Sequence, residues 1–207
     1  MDGLFITFEG GDGSGKSTQS RLLAEWLEGR GREVVATREP GGTDLGREIR
    51  QLVMHGKDHV DERAEALLYA ADRAHHVATV VRPALERGAV VLQDRYFDSS
   101  VAYQGVGRSL SADEVRDLSM WAVRGLVPHA TVLLDLDPEV GMARLSGRGE
   151  LDRLEAAGAE FHRRVREAYL GFAEQDPQRF LVVDAAGDID EIQTAIRARV
   201  ASLLGAS

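Results

Sequence analysis

Gly10 to Ser17 carry residue types suited to binding a polyphosphate. They follow the pattern G-x-x-x-x-G-K-[ST], read as Gly10, Gly11, Asp12, Gly13, Ser14, Gly15, Lys16 and Ser17, with Thr18 next. Glycines let consecutive backbone N–H groups surround an anion, and a following helix adds its dipole. Lys16 would reach the β- and γ-phosphates of a nucleoside triphosphate, and Ser17 would place its hydroxyl on Mg²⁺. The alternative is a glycine-rich turn, but a predicted strand precedes the motif and a predicted helix follows it.

Other charged residues lie beside this motif or at the ends of predicted strands. Arg38 and Arg95 each come just after a strand, and a planar guanidinium can grip a phosphate with two hydrogen bonds. Asp94 would act as a carboxylate near Mg²⁺. A structural ion pair for Arg95 and a strand-end cap for Asp94 are the alternatives. Asp12 is unusual, because a carboxylate beside polyphosphate is repelled unless a metal, an arginine or a sugar hydroxyl compensates it.

Strands and helices alternate along the chain, which predicts an α/β fold with a central parallel sheet of about five strands flanked by helices. Ligands in such folds gather at the carboxyl ends of the strands, where the charged residues above lie. The predicted strands are 4–9, 34–37, 89–94, 131–135 and 179–184. The predicted helices are 17–29, 44–55, 62–87, 112–123, 138–145, 155–173 and 189–204.

Composition limits the classes of protein that the chain can belong to. Its 207 residues fit one domain, 1–207, and its net charge of −9 argues against binding to a nucleic-acid backbone. The chain contains no cysteine, which fits a reducing compartment. The sequence shows neither a signal peptide nor an apolar stretch near the ~20 residues that cross a bilayer. We therefore expect a cytoplasmic protein with neither nucleic acid nor membrane as a partner.

Five segments resemble the thymidylate kinase family, and together they cover nearly the whole chain. The chain has no asparagine and so cannot contain the N-K-x-D motif with which GTPases read guanine. Beyond the phosphate loop, the similar segments are T-R-E-P-G-G-T at 37–43, D-R-Y at 94–96 with the serines and Y-Q-G up to 105, and the stretches 134–141 and 148–155. The resemblance implies a single P-loop nucleoside monophosphate kinase domain.

The resemblance also implies an acceptor site for dTMP that faces the ATP site. By analogy with the family, an aromatic ring at Tyr69 stacks on thymine, although phenylalanine is usual there, and Arg73 reads a base oxygen. Tyr103 would block the ribose 2′ position. The implied acceptor residues are Asp12, Arg38, Tyr69, Arg73, Arg95, Ser100, Tyr103 and Gln104, with asparagine or threonine more common where Ser100 stands.

A mobile lid over about residues 144–155 is the last implied feature. Members of the family carry the catalytic arginine either in the phosphate loop or in the lid, and Gly13 occupies the loop position in this chain. We expect Arg148 to act on the phosphates and Arg144 to pack against adenine. Arg153 could do either or pair with Glu150. The expected catalytic residues are therefore Lys16, Asp12, Arg95 and Arg148.

The resemblance implies transfer of the γ-phosphoryl group of ATP to dTMP with Mg²⁺, giving dTDP for DNA synthesis. The alternatives are a kinase for another nucleoside or deoxynucleoside monophosphate and a regulator that binds ATP without catalysis. The family also implies a homodimer, for which the apolar residues near Leu67, Val77 and Val80 would supply an interface.

Overall fold

The structure is a computed structural model and describes residues 3–56, 60–107, 110–145, 153–155 and 157–205. Its strands are β1 (Leu4–Glu9), β2 (Val34–Arg38), β3 (Val90–Asp94), β4 (Ala130–Asp135) and β5 (Phe180–Asp184). Its helices are α1 (Lys16–Glu28), α2 (Asp44–His55), α3 (Glu62–His76), α4 (Arg82–Glu86), α5 (Phe97–Ser100), α6 (Ala112–Ala122), α7 (Pro138–Leu145), α8 (Ala159–Gln175) and α9 (Ile189–Gly205). Two π-helical segments, Val77–Val81 and Val101–Val106, follow α3 and α5.

The five strands form one sheet in the order β2-β3-β1-β4-β5, and all neighbouring pairs are parallel. The parallel sheet flanked by helices is therefore confirmed. β1 lies at the centre, where every one of its residues is buried. The carboxyl ends of β1, β2 and β3 lie side by side, since Phe8 and Arg38 both pair with Asp94.

Alternate side chains of β1 build two cores on opposite faces of the sheet. Leu4, Ile6 and Phe8 pack in the cluster that contains residues of α1 and α9, such as Leu23 and Ile196. Phe5 instead packs in the cluster that contains residues of the first π-helical segment and of α4. Successive side chains of a strand point to opposite faces, so the six residues of β1 contribute to both cores. This fixes the position of the loop that follows β1.

The helix predicted over 62–87 is present as one continuous helical run, but its middle is π-helical. The structure has α3, a π-helical segment and then α4, with Pro83 in the first turn of α4. Proline has no backbone N–H to donate, so the hydrogen bonding of the helix must change in the turn before it. The helix predicted over 155–173 begins later, at Ala159, after the extended backbone of Gly158.

One predicted interface residue is not available at the surface. Val77 is only 2% exposed and belongs to the core that contains Phe5 and Val91. Leu67 is 57% exposed, and Val80 is half-buried. Within the described ranges, no helix combines the length and the apolar character needed to cross a membrane.

Candidate active site

The phosphate loop connects β1 to α1 and forms one wall of an open cleft of about 650 Å³. Gly10, Gly13 and Gly15 have positive φ angles of 132°, 74° and 92°, which side chains rarely adopt. α1 begins at Lys16, one residue earlier than predicted. The cleft brings together most of the predicted donor-site residues. They are Asp12, Gly13, Ser14, Gly15, Lys16, Ser17, Thr18 and Arg144.

Lys16 is held inside the loop by backbone oxygens. Its Nζ donates to the carbonyl oxygens of Gly10 at 3.1 Å and Gly11 at 2.8 Å. Burial lowers the pKa of Lys16, and the nearby positive charge of Arg95 lowers it further, although Asp94 and Asp12 oppose the change. A phosphate in the cleft would meet an ammonium group that is already fixed in place.

Ser17 and Asp94 lie together and could hold a divalent cation. The Ser17 hydroxyl donates to Asp94 Oδ2 at 3.2 Å, while Asp94 Oδ1 is buried and has no hydrogen-bond partner among the residues that the structure describes. The described part of the chain has no group of three or more His, Cys, Asp or Glu residues arranged for a metal. One hydroxyl and one carboxylate fit Mg²⁺, which is usually bound by one or two carboxylates together with the phosphates of the substrate.

Asp12 and Arg95 form an ion pair at the centre of the site. Arg95 Nη2 donates to Asp12 Oδ1 at 2.5 Å. Burial raises the pKa of the Asp12 carboxyl, but the charges of Arg95 and Lys16 outweigh it, so the net pKa lies below its usual value. The compensation that a carboxylate in this loop requires therefore comes from an arginine.

The backbone and side chain of Arg95 are both held by neighbours. Its φ of 65° lies in the left-handed region, which costs a non-glycine residue about 1–3 kcal/mol. Arg95 N–H donates to Phe8 O at 2.9 Å, and Gln93 Nε2 donates to Arg95 O at 3.1 Å. The guanidinium donates to Ser99 Oγ at 3.2 Å and lies 5.0 Å from the centre of the Tyr103 ring. Such a restrained guanidinium is preorganised for a phosphate.

Glu9 is a residue of the site that the sequence reasoning missed. It is fully buried at the end of β1 and accepts hydrogen bonds from Tyr96 N at 2.7 Å, Ser99 Oγ at 2.6 Å and Tyr169 OH at 2.8 Å. Burial and the nearby Asp98 raise the pKa of Glu9 to about 7, against the opposing effects of its hydrogen bonds and of Arg95. The available signal was an acidic residue at the last position of an otherwise uncharged strand.

A second, smaller pocket lies beside the cleft. It is lined by Asp12, Glu39, Pro40, Met54, Tyr69, Arg73, Arg95, Tyr96, Ser99, Ser100, Tyr103, Gln104 and Leu154. Every predicted acceptor residue except Arg38 is in this set. Arg38 is exposed at the end of β2 and lines the open cleft instead. Arg50, which the sequence reasoning did not select, lines the cleft with it and donates to Pro40 O at 3.2 Å.

The side chains at the far end of the pocket are held by buried hydrogen bonds. Arg73 donates to Glu39 Oε2 at 2.8 Å and to Ser100 Oγ at 3.0 Å. Gln104 Nε2 donates to Glu65 Oε1 at 3.0 Å. The pocket thus has one arginine and one amide whose orientations are fixed by carboxylates.

The predicted lid is described only at its ends, and Arg148 lies outside the described residues. Arg144 Nη1 donates to Ala185 O at 3.1 Å and to Gly13 O at 3.4 Å, on the side of the cleft that faces the phosphate loop. Arg153 instead pairs with Glu65 and donates to Val53 O at 3.1 Å, on the acceptor side. The lid boundaries and the single domain 1–207 stay predictions.

Gly13 is in close contact with α7. A Cβ atom at Gly13 would lie 2.4 Å from Gly141 O, and a Cβ atom at Gly141 would lie 2.4 Å from Asp12 O. Such approaches are far shorter than van der Waals contact, so neither position has room for a side chain.

Comparison with known proteins assigns the chain to a family. A sequence profile described as thymidylate kinase matches residues 8–196. The chain is 66% identical over 207 residues to the thymidylate kinase of Clavibacter sepedonicus, with 100% of this chain and 98% of that protein covered. It is 67% identical over 199 residues to the thymidylate kinase of Leifsonia xyli subsp. xyli (strain CTCB07), with coverages of 96% and 94%. The chain belongs to the thymidylate kinase family.

A solved thymidylate kinase has the same fold. The crystal structure of thymidylate kinase from Ehrlichia chaffeensis matches with a TM-score of 0.74 and 34% sequence identity, covering 88% of this chain and 93% of that one. The resemblance read from the five sequence segments is confirmed. Membership in the thymidylate kinase family makes the chain an enzyme, rather than a regulator that only binds a nucleotide.

Proposed function

We propose that the chain transfers the γ-phosphoryl group of ATP to dTMP with Mg²⁺, forming dTDP for dTTP and DNA synthesis. One observation carries the proposal: Asp12 and Arg95 line both the large cleft and the smaller pocket. A donor phosphate beside Lys16 and an acceptor phosphate beside Arg95 would therefore meet at a common wall. Direct transfer needs such a meeting point, because no covalent intermediate on the enzyme is formed.

The reaction requires little chemistry from the side chains. An oxygen of the acceptor phosphate is already anionic near pH 7, so it can attack the γ-phosphorus without a general base. The new P–O bond forms while the bond from the γ-phosphorus to the β–γ bridging oxygen breaks, and ADP leaves with that electron pair. Lys16 and the N–H groups of the loop stabilise the charge on the phosphates, and Arg95 holds the acceptor. Mg²⁺, held by Ser17 and Asp94, would neutralise charge on the β- and γ-oxygens.

The smaller pocket would hold the nucleoside of dTMP. We assign Tyr69 to stacking on the base, Arg73 to a base oxygen, and Ser100 and Gln104 to completing the base contacts. Support comes from their placement along one pocket with polar groups fixed by buried partners. Tyr103 lies between Arg95 and Phe161, 5.9 Å from the latter ring centre, where it would wall off the ribose 2′ position. Arg38 would act on phosphate from the cleft.

We assign Arg148 to stabilising the transferring phosphoryl group. Two observations support this assignment: Gly13 has no room for a side chain, and Arg144 and Arg153 are both engaged elsewhere. Arg148→Ala should lower kcat by about 10²–10³, as expected for the loss of one charge that stabilises the transition state. Near-normal turnover of Arg148→Ala, with Arg144→Ala as the comparison, would refute the assignment.

We also propose a homodimer, through a groove lined by Arg63, Ala66, Leu67, Leu110, Glu114, Val115 and Leu118. The exposed Leu67 at its rim is the apolar side chain whose coverage would stabilise an association. Light scattering at micromolar concentration tests this proposal, because a monomeric mass would contradict it. Leu67→Glu should shift a dimer toward monomer.

The decisive experiment measures ADP release with Mg-ATP and dTMP, dUMP, UMP, dCMP, dGMP or AMP. Lys16→Ala serves as the blank, and Arg21→Ala, on the exposed surface of the same helix, serves as the matched control. Fast turnover with dTMP and weaker turnover with dUMP are expected. Preference for a different monophosphate would overturn the substrate assignment while preserving the reaction, and inactivity with all six acceptors would overturn the function.

A further inference from the structure

A buried chain of polar side chains lies behind the base end of the acceptor pocket. Thr37 Oγ1 is 2.7 Å from His76 Nε2, and His76 Nδ1 is 2.8 Å from Glu39 Oε1. Glu39 Oε2 accepts from Arg73 Nε at 2.8 Å. The side chains of Glu39, Arg73 and His76 are at most 2% exposed, so solvent cannot substitute for any of these bonds.

The hydrogen bonds of Arg73 leave it one donor for a ligand. A guanidinium has five N–H donors in a fixed plane. Four are used by Glu39 through Nε, by Ser119 through Nη1 at 3.2 Å, and by Tyr96 O and Ser100 through Nη2 at 3.3 and 3.0 Å. The remaining Nη1 hydrogen has no partner within the described residues, and Arg73 lines the acceptor pocket. Rotation of the guanidinium plane would redirect that hydrogen.

His76 fixes the guanidinium plane of Arg73 by holding Glu39 in place. A carboxylate accepts hydrogen bonds, so Nδ1 is the His76 nitrogen that carries a proton toward Glu39. Thr37 then fixes the other side of the imidazole ring. The loop after β2 is packed tightly against this ring, because a Cβ atom at Gly42 would lie 2.6 Å from His76 Nε2. A carboxylate held at both oxygens cannot turn, and neither can the arginine that donates to it.

We propose that His76 is a positioning residue for recognition of the acceptor base, acting through Glu39 to aim the remaining donor of Arg73 at a base oxygen. The inference rests on the proposed function, since it takes the pocket as the site of a pyrimidine monophosphate. It adds a specificity role for a histidine that does not itself line the pocket but contacts Glu39, which does. The recognised feature is a carbonyl oxygen on the base, in preference to an amino group.

The test compares His76→Phe, which removes both hydrogen bonds, with His76→Gln, which retains one donor and one acceptor. We expect His76→Phe to raise the KM for dTMP about tenfold and to lower the preference for dTMP over dCMP about tenfold, the usual cost of a misplaced hydrogen bond. The KM for ATP should stay within about twofold, because His76 is not among the described residues that line the donor cleft and does not contact the phosphate loop's Lys16. His76→Gln should restore most of the preference.

Arg73→Ala distinguishes a positioning role from a general loss of structure. In an Arg73→Ala background, His76→Phe should change the preference no further, since its effect passes through the arginine. The inference would be overturned if the two substitutions lowered the preference for dTMP additively, or if His76→Phe raised the KM values for ATP and dTMP equally. If His76→Phe does not fold, Thr37→Val and His76→Gln are compared by the same measure, the preference for dTMP over dCMP. An unchanged preference in Thr37→Val would count against the inference. Absence of dTMP turnover in the wild-type chain would instead refute the proposed function.

Discussion

The donor and acceptor regions bind their ligands by different physical means. The donor cleft is open, about 650 Å³, and its binding groups are the phosphate loop with its lysine, the N-terminus of α1, and arginines at its rim such as Arg38 and Arg144. The acceptor pocket has only about 40 Å³ of free space, and its polar side chains are paired with buried carboxylates. The two spaces share a wall that includes Asp12 and Arg95.

The two regions therefore differ in how activity is connected to stability. A donor-side substitution removes a charge that the folded protein does not need. An acceptor-side substitution breaks a buried pair and leaves its partner unsatisfied, which costs stability as well as binding. At the phosphate end of the acceptor pocket, a phosphate can replace Asp12 as the partner of Arg95, because it offers the guanidinium two acceptor oxygens where Asp12 uses one.

Lys16→Ala should give the largest effect and leave stability nearly unchanged. We expect kcat to fall by about 10³ or more, because a preorganised cation at the developing charge is lost. The melting temperature should not fall, since burial already disfavours the charged form of Lys16 and lowers its pKa. Steady-state kinetics and calorimetry of the variant beside Arg21→Ala test this. A large drop in melting temperature would contradict the distinction between the regions.

Glu9→Gln should remove a pH dependence of stability. The folded-state pKa of Glu9 is raised from 4.5 to about 7, so the protonated form is the one that folding favours. Its contribution is fully present below about pH 4.5 and is lost as the pH rises through about 7, a change of order 3 kcal/mol.

Glutamine mimics the protonated acid, so the unfolding free energy of Glu9→Gln relative to the wild type should increase from pH 5 to pH 8. Urea unfolding at several pH values measures that difference. A constant difference across this range would show that Glu9 is not the responsible group, and Glu25→Gln on an exposed helix face provides the control.

Arg95→Ala should lower both the activity with dTMP and the stability of the fold. Loss of the phosphate contact should lower kcat/KM for dTMP about 100-fold, and leaving the Asp12 carboxylate unpaired should cost about 1–3 kcal/mol of unfolding free energy. Arg95→Ala combined with Asp12→Asn should recover part of the stability without recovering activity. Recovery of both would mean that the pair serves folding alone.

Tyr103→Phe should give the smallest effect. The hydroxyl lies 3.5 Å from Asp12 Oδ2, a weak contact, while the ring packs between Arg95 and Phe161. We expect kcat and KM for dTMP within about threefold of the wild type, and an unchanged preference for dUMP over UMP, because the ring is retained. A reduced preference would assign the discrimination to the hydroxyl instead of the ring.

The sequence was sufficient for features that depend on local pattern. All five strands were placed within one residue at each end, because buried runs of β-branched and aromatic residues are a strong signal. The phosphate loop was identified because its glycines and lysine lie next to each other in the chain. The acceptor residues followed from the family resemblance, since their positions in four separate segments have no common local pattern.

Features that depend on long-range burial were not predictable in the same way. Glu9 accepts a hydrogen bond from Tyr169, which lies 160 positions further along the chain. Glu39 is hydrogen-bonded to His76, which lies 37 positions further along. Nothing in the local sequence indicates which of two adjacent histidines is buried, yet His75 is exposed and His76 is in the interior. Pairing of this kind depends on how helices pack over the sheet, and one sequence contains no direct signal for it.

The contact between Gly13 and Gly141 also restricts how this chain can evolve. A single codon change to arginine at Gly13 would drive a side chain into the backbone of α7, at a position whose φ of 74° already disfavours any side chain. An arginine at position 13 could place its charge beside the phosphates only after α7 had moved, and that movement has no benefit by itself. The two ways of supplying a catalytic arginine are therefore separated by an unfavourable intermediate, so neutral drift is not expected to exchange one for the other.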